Sequence, residues 1–296
     1  MNYYFLPGTG IFGGIKVAFQ FAGMLSGLGV PIVVATPDGK AATWFSSTVP
    51  VVSQAEALRR ITTKDVVLFS LPHDYAALKA TGARLVLHCQ GTDPLIDPIL
   101  ADDRVVLLSC WEQAARYMRE RAGRSSIEVG ISISQTFFYD GRPKLAGDVA
   151  YMSRRGAAIA EAAMRRCVDL HFTAIDGASE REAGAALMRS GYFLGTAAGE
   201  WFGLPSLEAM AAGCIVVSVP VVGGVEYLID GRTAVVVDPA EIPDALAALA
   251  ANDGASRRAR LRDAGHAIAY RYRPRHQRSR LQTLLATELR PVLSWT

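Results

Sequence analysis

The sequence predicts an α/β protein built as two lobes, each a parallel sheet with helices on its faces. Three observations carry this. Short apolar, β-branched segments alternate with helical patterns from the N-terminus onward, the order a parallel sheet requires. The alternation breaks over residues 134–144, where Gly141, Pro143 and aromatic residues interrupt any period, and then starts again. A chain of 296 residues, half of them hydrophobic, is also long enough for two cores.

Asn2 to Leu6 is a short aromatic strand, followed by the stretch P-G-T-G-I-F-G-G and a helix over Ile15 to Leu28 that Gly29 ends. Pro31 to Thr36, Val66 to Ser70, Leu85 to Cys89 and Arg104 to Ser109 read as further strands. Cys110 to Ala122 is a helix whose Trp111, Ala115 and Met118 make an apolar stripe for the core, and Ile127 to Ile133 is the last strand of the first lobe. The second lobe opens with Val149 to Met152, S-R-R-G and a helix over Ala157 to Cys167, and continues with strands at Leu170 to Ile175 and Tyr192 to Leu194. Gly195 to Gly203 is a loop, Pro205 stands where a helix can begin, and Ser206 to Ala212 is that helix. Gly213 suits its left-handed cap, and Cys214 to Val219 is a strand buried on both faces. Gly223 and Gly224 allow close backbone approach, Asp230-Gly231 is a turn and Thr233 to Val237 a strand. From Glu241 the chain is helical, and it ends in the basic run Y-R-Y-R-P-R-H-Q-R-S-R and an amphipathic segment to Trp295.

Composition narrows the function. Thirty-one basic against twenty-eight acidic side chains make the chain nearly neutral, so no nucleic-acid partner is expected. Cys89, Cys110, Cys167 and Cys214 lie far apart, without C-x-x-C or His-rich pairing, which speaks against a metal site or a disulfide framework and for a reducing cytosol. No basic leader precedes an apolar stretch and no run approaches about eighteen apolar residues, so neither a signal peptide nor a membrane span is predicted.

The densest chemistry lies in Gly199 to Glu226, reading G-E-W-F-G-L-P-S-L-E-A-M-A-A-G-C-I-V-V-S-V-P-V-V-G-G-V-E. Backbone N–H groups around Phe202 to Leu207, with a helix dipole behind them, favour a phosphate. Glu200 and Glu208 bracket that site, and carboxylates accept pairs of hydroxyls well. A ligand with phosphates and several hydroxyls, such as a nucleotide sugar, fits both. Arg154 and Arg155, placed between a strand and a helix, suit phosphate because guanidinium binds its oxygens in a fork.

At these residues the chain resembles the retaining glycosyltransferases of the GT-B fold, in particular glycosyltransferase family four: two Glu with seven residues between them enclose F-G-L-P, and E-A-M-A-x-G-x-x-V-V follows. The resemblance implies two Rossmann-like lobes with parallel sheets facing a central cleft, over 1–135 and 145–275, with 276–296 as a helix crossing back to the first lobe. It implies that Glu200 contacts the transferred sugar, that Glu208 holds the ribose, and that Phe202, Gly203 and Leu204 belong to the donor site. Trp201 stands where the family usually has Gly. Arg154 matches the family's diphosphate Arg; its Lys is absent, and Arg155 stands in for it. Gly13 and Gly14 resemble the acceptor-side loop, and V-L-H-C-Q-G-T-D resembles V-L-T-V-H-G-L-D, putting Gln90 where the family has a His facing the sugar. His88 lies on the same strand face as Gln90 and is the other candidate there. Glu226 matches a position near the donor site.

The implied activity is transfer from a nucleotide-diphosphate sugar to a hydroxyl acceptor (a glycan, a lipid-linked carrier or a small molecule) with retention of configuration. No cofactor or metal is expected, and the implied setting is cell-surface polysaccharide biosynthesis at the cytoplasmic side, with weak peripheral membrane contact through the basic tail. A competing reading uses Gly8, Gly10 and Gly13 as a G-x-G-x-x-G fingerprint with Asp38 as the ribose acid, which would make an NAD(P)-dependent oxidoreductase. A catalytically silent GT-B partner subunit is the second alternative.

Overall fold

The computed structural model describes residues 1–251 and 254–295. The helical reading from Glu241 crosses residues 252 and 253, and the helix expected over 276–296 includes residue 296; these three lie outside the described residues. The chain divides into two units, one formed by Met1–Ser132 with the chain from Arg275 onward, the other by Ile133–Pro274.

In the first unit the elements run β1 (Asn2–Phe5), α1 (Gly13–Ser26), β2 (Ile32–Thr36), β3 (Val51–Ser53), α2 (Gln54–Arg60), β4 (Val66–Phe69), α3 (Tyr75–Lys79), β5 (Arg84–Cys89), α4 (Asp97–Leu100), β6 (Val106–Ser109), α5 (Glu112–Ala122) and β7 (Ile127–Glu128). All seven strands are parallel, in the order β3-β2-β1-β4-β5-β6-β7. β1 and β4 are buried at every position, as expected for parallel strands covered on both faces. α5 stops at Gly123, whose φ of +63° provides the left-handed cap, its N–H bonding Arg119 O at 2.9 Å. The sequence reading missed β3: its three residues are only half-buried and Pro50 precedes them, too short a run for periodicity to register. It overran β7, because the apolar Val129, Ile131 and Ile133 are buried without extending the strand.

The second unit contains β8 (Leu145–Tyr151), α6 (Ala157–Arg166), β9 (His171–Ala174), α7 (Glu180–Arg189), β10 (Ser190–Gly195), α8 (Leu204–Ala211), β11 (Ile215–Ser218), β12 (Val235–Val236), α9 (Ile242–Ala250) and α10 (Ala255–Ala269). Its five strands are parallel, in the order β12-β11-β10-β8-β9. α7 opens on a capping box in which Ser179 Oγ accepts the Glu182 N–H and Glu182 accepts the Ser179 N–H. Lys144 Nζ donates to the carbonyls of Leu187, Met188 and Ser190, closing the other end of α7.

The last helix, α11 (Pro274–Ala286), returns to the first unit, where Leu281, Leu285, Leu289, Val292 and Leu293 join the core formed by Tyr4, Leu6, Phe19 and Phe21. In the basic run leading into and along this helix, Arg273 lies over the rings of Phe138 and Tyr270, and the exposed Arg278 and Arg280 donate to Gly27 O and Glu128 O. Among the described residues no helix is long and apolar enough to cross a membrane.

Candidate functional site

Ligands of open α/β sheets bind beyond the carboxyl ends of the strands, where the strand order reverses. In the second unit the chain lays β9 on one side of β8 and β10 on the other, so that point lies between β8 and β10. Residues 152–156 follow β8, and residues 196–203 follow β10.

These two loops are joined by a close approach. Gly156 has φ +76°, and a Cβ there would sit 2.3 Å from Thr196 O. Thr196 is buried, and its hydroxyl donates to Arg155 O at 2.7 Å. The contact carries Arg155 to Glu200, whose Oε1 accepts from Arg155 Nη1 at 3.1 Å. Both side chains are partly exposed, so the pair adds about 0–1 kcal/mol to stability and leaves the guanidinium accessible to a phosphate. Arg154 is exposed beside it. The loop that follows β11 adds a third side, with Val222 N donating to Glu200 O at 2.8 Å and Gly224 packed so closely that a Cβ there would lie 2.4 Å from Phe202 O.

At the centre stands Tyr227, fully buried, its hydroxyl shared between Phe202 O at 2.7 Å and Gly203 O at 2.6 Å. Burial, then the Tyr272 hydroxyl and the Glu200, Glu208 and Glu226 carboxylates, push its phenol well above the ordinary range. Three carboxylates thus act on one buried hydroxyl. Tyr272 donates to Glu226 Oε1 at 2.7 Å, and burial followed by that carboxylate raises its phenol too. The sequence reading missed both tyrosines, since neither stands in a long helix or strand whose period could mark it.

The phosphate cradle differs from expectation in two respects. α8 starts at Leu204 with Gly203 as a left-handed N-cap at φ +75°, Pro205 has no N–H, and the N–H groups of Ser206 and Leu207 already bond Gly203 O. The donors the loop and helix can offer a phosphate therefore lie before Pro205. The Phe202 ring is a packing group, 5.3 Å from Tyr227 and 5.8 Å from Tyr272, so this residue's side chain turns inward. Glu208 lies on α8 and is buried.

In the first unit Gln90 follows β5 and reaches the start of α1: its Oε1 lies 2.8 Å from where a Cβ on Gly14 would be, and its Nε2 donates to Tyr4 Oη at 3.2 Å. Gln90 is half-buried, whereas Gly13 and Gly14 are exposed. His88 requires a correction. It is fully buried, stacked on Phe21 at 4.3 Å, with Nδ1 2.8 Å from Tyr4 Oη and Nε2 3.0 Å from Cys110 Sγ. Burial pushes its pKa down to about 3. Such a ring is closed off from a ligand and uncharged at neutral pH.

The dinucleotide reading of this loop also needs correction. In that fingerprint the glycines form the tight turn and the opening of the helix, but here seven residues separate Phe5 from Gly13, and α1 begins only at the third glycine. The exposed Asp38 carboxylate accepts from Lys40 N in its own turn.

Residues 156–252 match the family model described as Glycosyl transferases group 1. This stretch is a group 1 glycosyltransferase domain. It holds Glu200, Glu208, Glu226 and Tyr227 and begins at the glycine that joins the two loops. No curated protein matches the chain in sequence. Among solved structures the chain is similar to HepE of Anabaena, in complex with UDP and glucose, with a TM-score of 0.75 and 11% identity over 97% of this chain and 99% of that one. Sucrose-phosphate synthase from Thermosynechococcus elongatus gives 0.73 at 12% identity over 98% and 99%, and a glycosyltransferase of Rickettsia africae gives 0.69 at 11% over 97% and 98%. The likeness establishes the GT-B fold, with the glycosyltransferase domain in its second unit.

Proposed function

We propose that the protein transfers a sugar from a nucleotide-diphosphate donor to a hydroxyl acceptor, with retention of configuration and without a metal ion. The observation that carries this reading is the joining of the loops after β8 and β10, which sets Arg155 against Glu200 at the strand-order reversal of a glycosyltransferase domain. Arg154 and Arg155 take the diphosphate, Glu208 the ribose and Glu200 the sugar. Guanidinium groups and backbone donors before Pro205 neutralise the charge that grows on the departing diphosphate, and they are in place before the bond breaks. HepE binds UDP and glucose, which makes a UDP-sugar the first donor to try. On the first unit, Gly13, Gly14 and Gln90 serve the acceptor side, where the hydroxyl belongs to a glycan, a lipid-linked carrier or a small molecule.

The test is a pair of substitutions read by two assays. Glu200→Ala should abolish transfer and change nucleotide affinity by less than about twofold, whereas Glu208→Ala should weaken that affinity about tenfold or more, since losing hydrogen bonds to a charged acceptor costs about 1.5–3 kcal/mol. Equal nucleotide affinity in wild type and Glu208→Ala would remove the ribose assignment. Nucleotide binding without any turnover would make the protein a silent binder.

A further inference from the structure

Gln90 is held from inside the first unit by a chain of buried groups that the transfer reaction itself does not use. Tyr4 is fully buried on β1, and its hydroxyl lies between His88 Nδ1 at 2.8 Å and Gln90 Nε2 at 3.2 Å. The His88 ring is clamped in turn by the Phe21 stack and the Cys110 thiol. From outside, the Gln90 amide lies over Gly14, the one residue type whose lack of Cβ leaves that place open.

We propose that Tyr4 and His88 are positioning residues which hold the Gln90 amide over Gly14 with its oxygen as the ligand-facing acceptor. The inference rests on the reading of Gln90 as a residue that touches the reacting sugar or acceptor hydroxyl. With the ring proton on Nε2, facing the Cys110 sulfur, His88 Nδ1 accepts the Tyr4 hydroxyl proton, which leaves the Tyr4 oxygen as an acceptor. That oxygen takes the Gln90 NH2, and the amide's other end, Oε1, is thereby turned toward Gly14. Reversing the amide would set its oxygen against an oxygen whose proton is already engaged. Gln90 therefore accepts from an incoming hydroxyl at any pH at which the protein is folded, whereas a His in its place would change charge near neutrality.

The experiment measures release of nucleoside diphosphate from whichever of UDP-glucose, GDP-mannose and dTDP-glucose the protein turns over, in wild type, Tyr4→Phe, Gln90→Ala and the double variant. Tyr4→Phe keeps the buried ring and should lower kcat about tenfold with KM for the nucleotide sugar unchanged, because its effect falls on orientation. In the Gln90→Ala background the same change should cost nothing further. Independent, multiplying losses, or full kcat in Tyr4→Phe, would overturn the proposal. Gly14→Ala moves the amide from the outside and leaves the buried chain intact; it should lose kcat to the same extent and add nothing to Tyr4→Phe, so the proposal can be tested even if Tyr4→Phe folds poorly. Turnover that survives Glu200→Ala would refute the donor-site reading instead, and turnover of none of the three would remove the reading on which the inference rests.

Discussion

Gly156→Ala tests the joining of the two donor loops most severely. The substitution carries two costs. An Ala held at φ +76° loses about 1–2 kcal/mol in the left-handed region, of which a more restricted unfolded chain returns about 0.4–1 kcal/mol. The new Cβ would also fall 2.3 Å from Thr196 O and 2.8 Å from Thr196 Cβ, so backbone must move, at about 1–3 kcal/mol. A total of about 3 kcal/mol corresponds to roughly 6 to 12 °C in melting temperature for a domain of this size. Gly177→Ala is the control, with φ +61° and nothing within 4 Å of the new methyl group; it should lose about 1 kcal/mol or less. Thermal unfolding of both variants separates the close approach from the backbone strain. Moving residues 152–156 away from Thr196 also displaces Arg155 from Glu200, so nucleotide affinity should fall about tenfold in Gly156→Ala and stay unchanged in Gly177→Ala. Equal melting temperatures in the two variants, or a destabilised Gly156→Ala that binds nucleotide normally, would refute the reasoning.

Two further outcomes follow from the buried groups. His88 is pushed down to about 3 from an unfolded value near 6.5, so between those values the unfolded chain binds a proton that the folded one does not; its contribution is present above pH 6.5 and is lost as pH falls. Stability should drop toward pH 4 with a component of about 1.4 kcal/mol per pH unit that is missing in His88→Phe; equal slopes in denaturant titrations of the two proteins would contradict this. All four cysteines are buried and free, and burial pushes Cys89 and Cys214 up to about 11 and Cys110 well above the usual thiol range. Iodoacetamide at pH 8 should therefore leave the native protein unmodified and label all four thiols in denaturant, and rapid native labelling of Cys110 would show the core around His88 to be open.

The parts of the fold set by long periodic or β-branched runs were legible: α1, α5, α6, β4, β5, β10 and β11 all form where the residues suggest. β3 was not, because Val51–Ser53 owe their strand to pairing with Val34–Thr36 and not to any pattern of their own. In the candidate site, Arg154 and Arg155 stand out by residue type and by their place between β8 and α6, whereas Glu200 and Glu208 are marked by the family motif around α8, and their roles come from that resemblance. Tyr4 and Tyr227 could not be picked out, because a buried tyrosine reads as core until its hydroxyl partners are known, and Tyr272 sits in a basic run that reads as a surface segment. His88 shows the reverse error. Alternation along β5 placed it on the same face as Gln90, but the strand ends at Cys89, and the face that Gln90 leaves for solvent is for His88 still interior, under Phe21.

The most direct test of the donor site is thermal unfolding of the purified protein with UDP, GDP, dTDP, CMP, NAD and NADP, each without added metal and then with magnesium. A ligand at 100 times its dissociation constant stabilises by about 2.7 kcal/mol, roughly 5 to 10 °C here. The account predicts a shift with one nucleoside diphosphate, equal with and without magnesium and lost in Glu208→Ala. A shift with NAD or NADP alone would contradict it and move the site to the Gly8 loop.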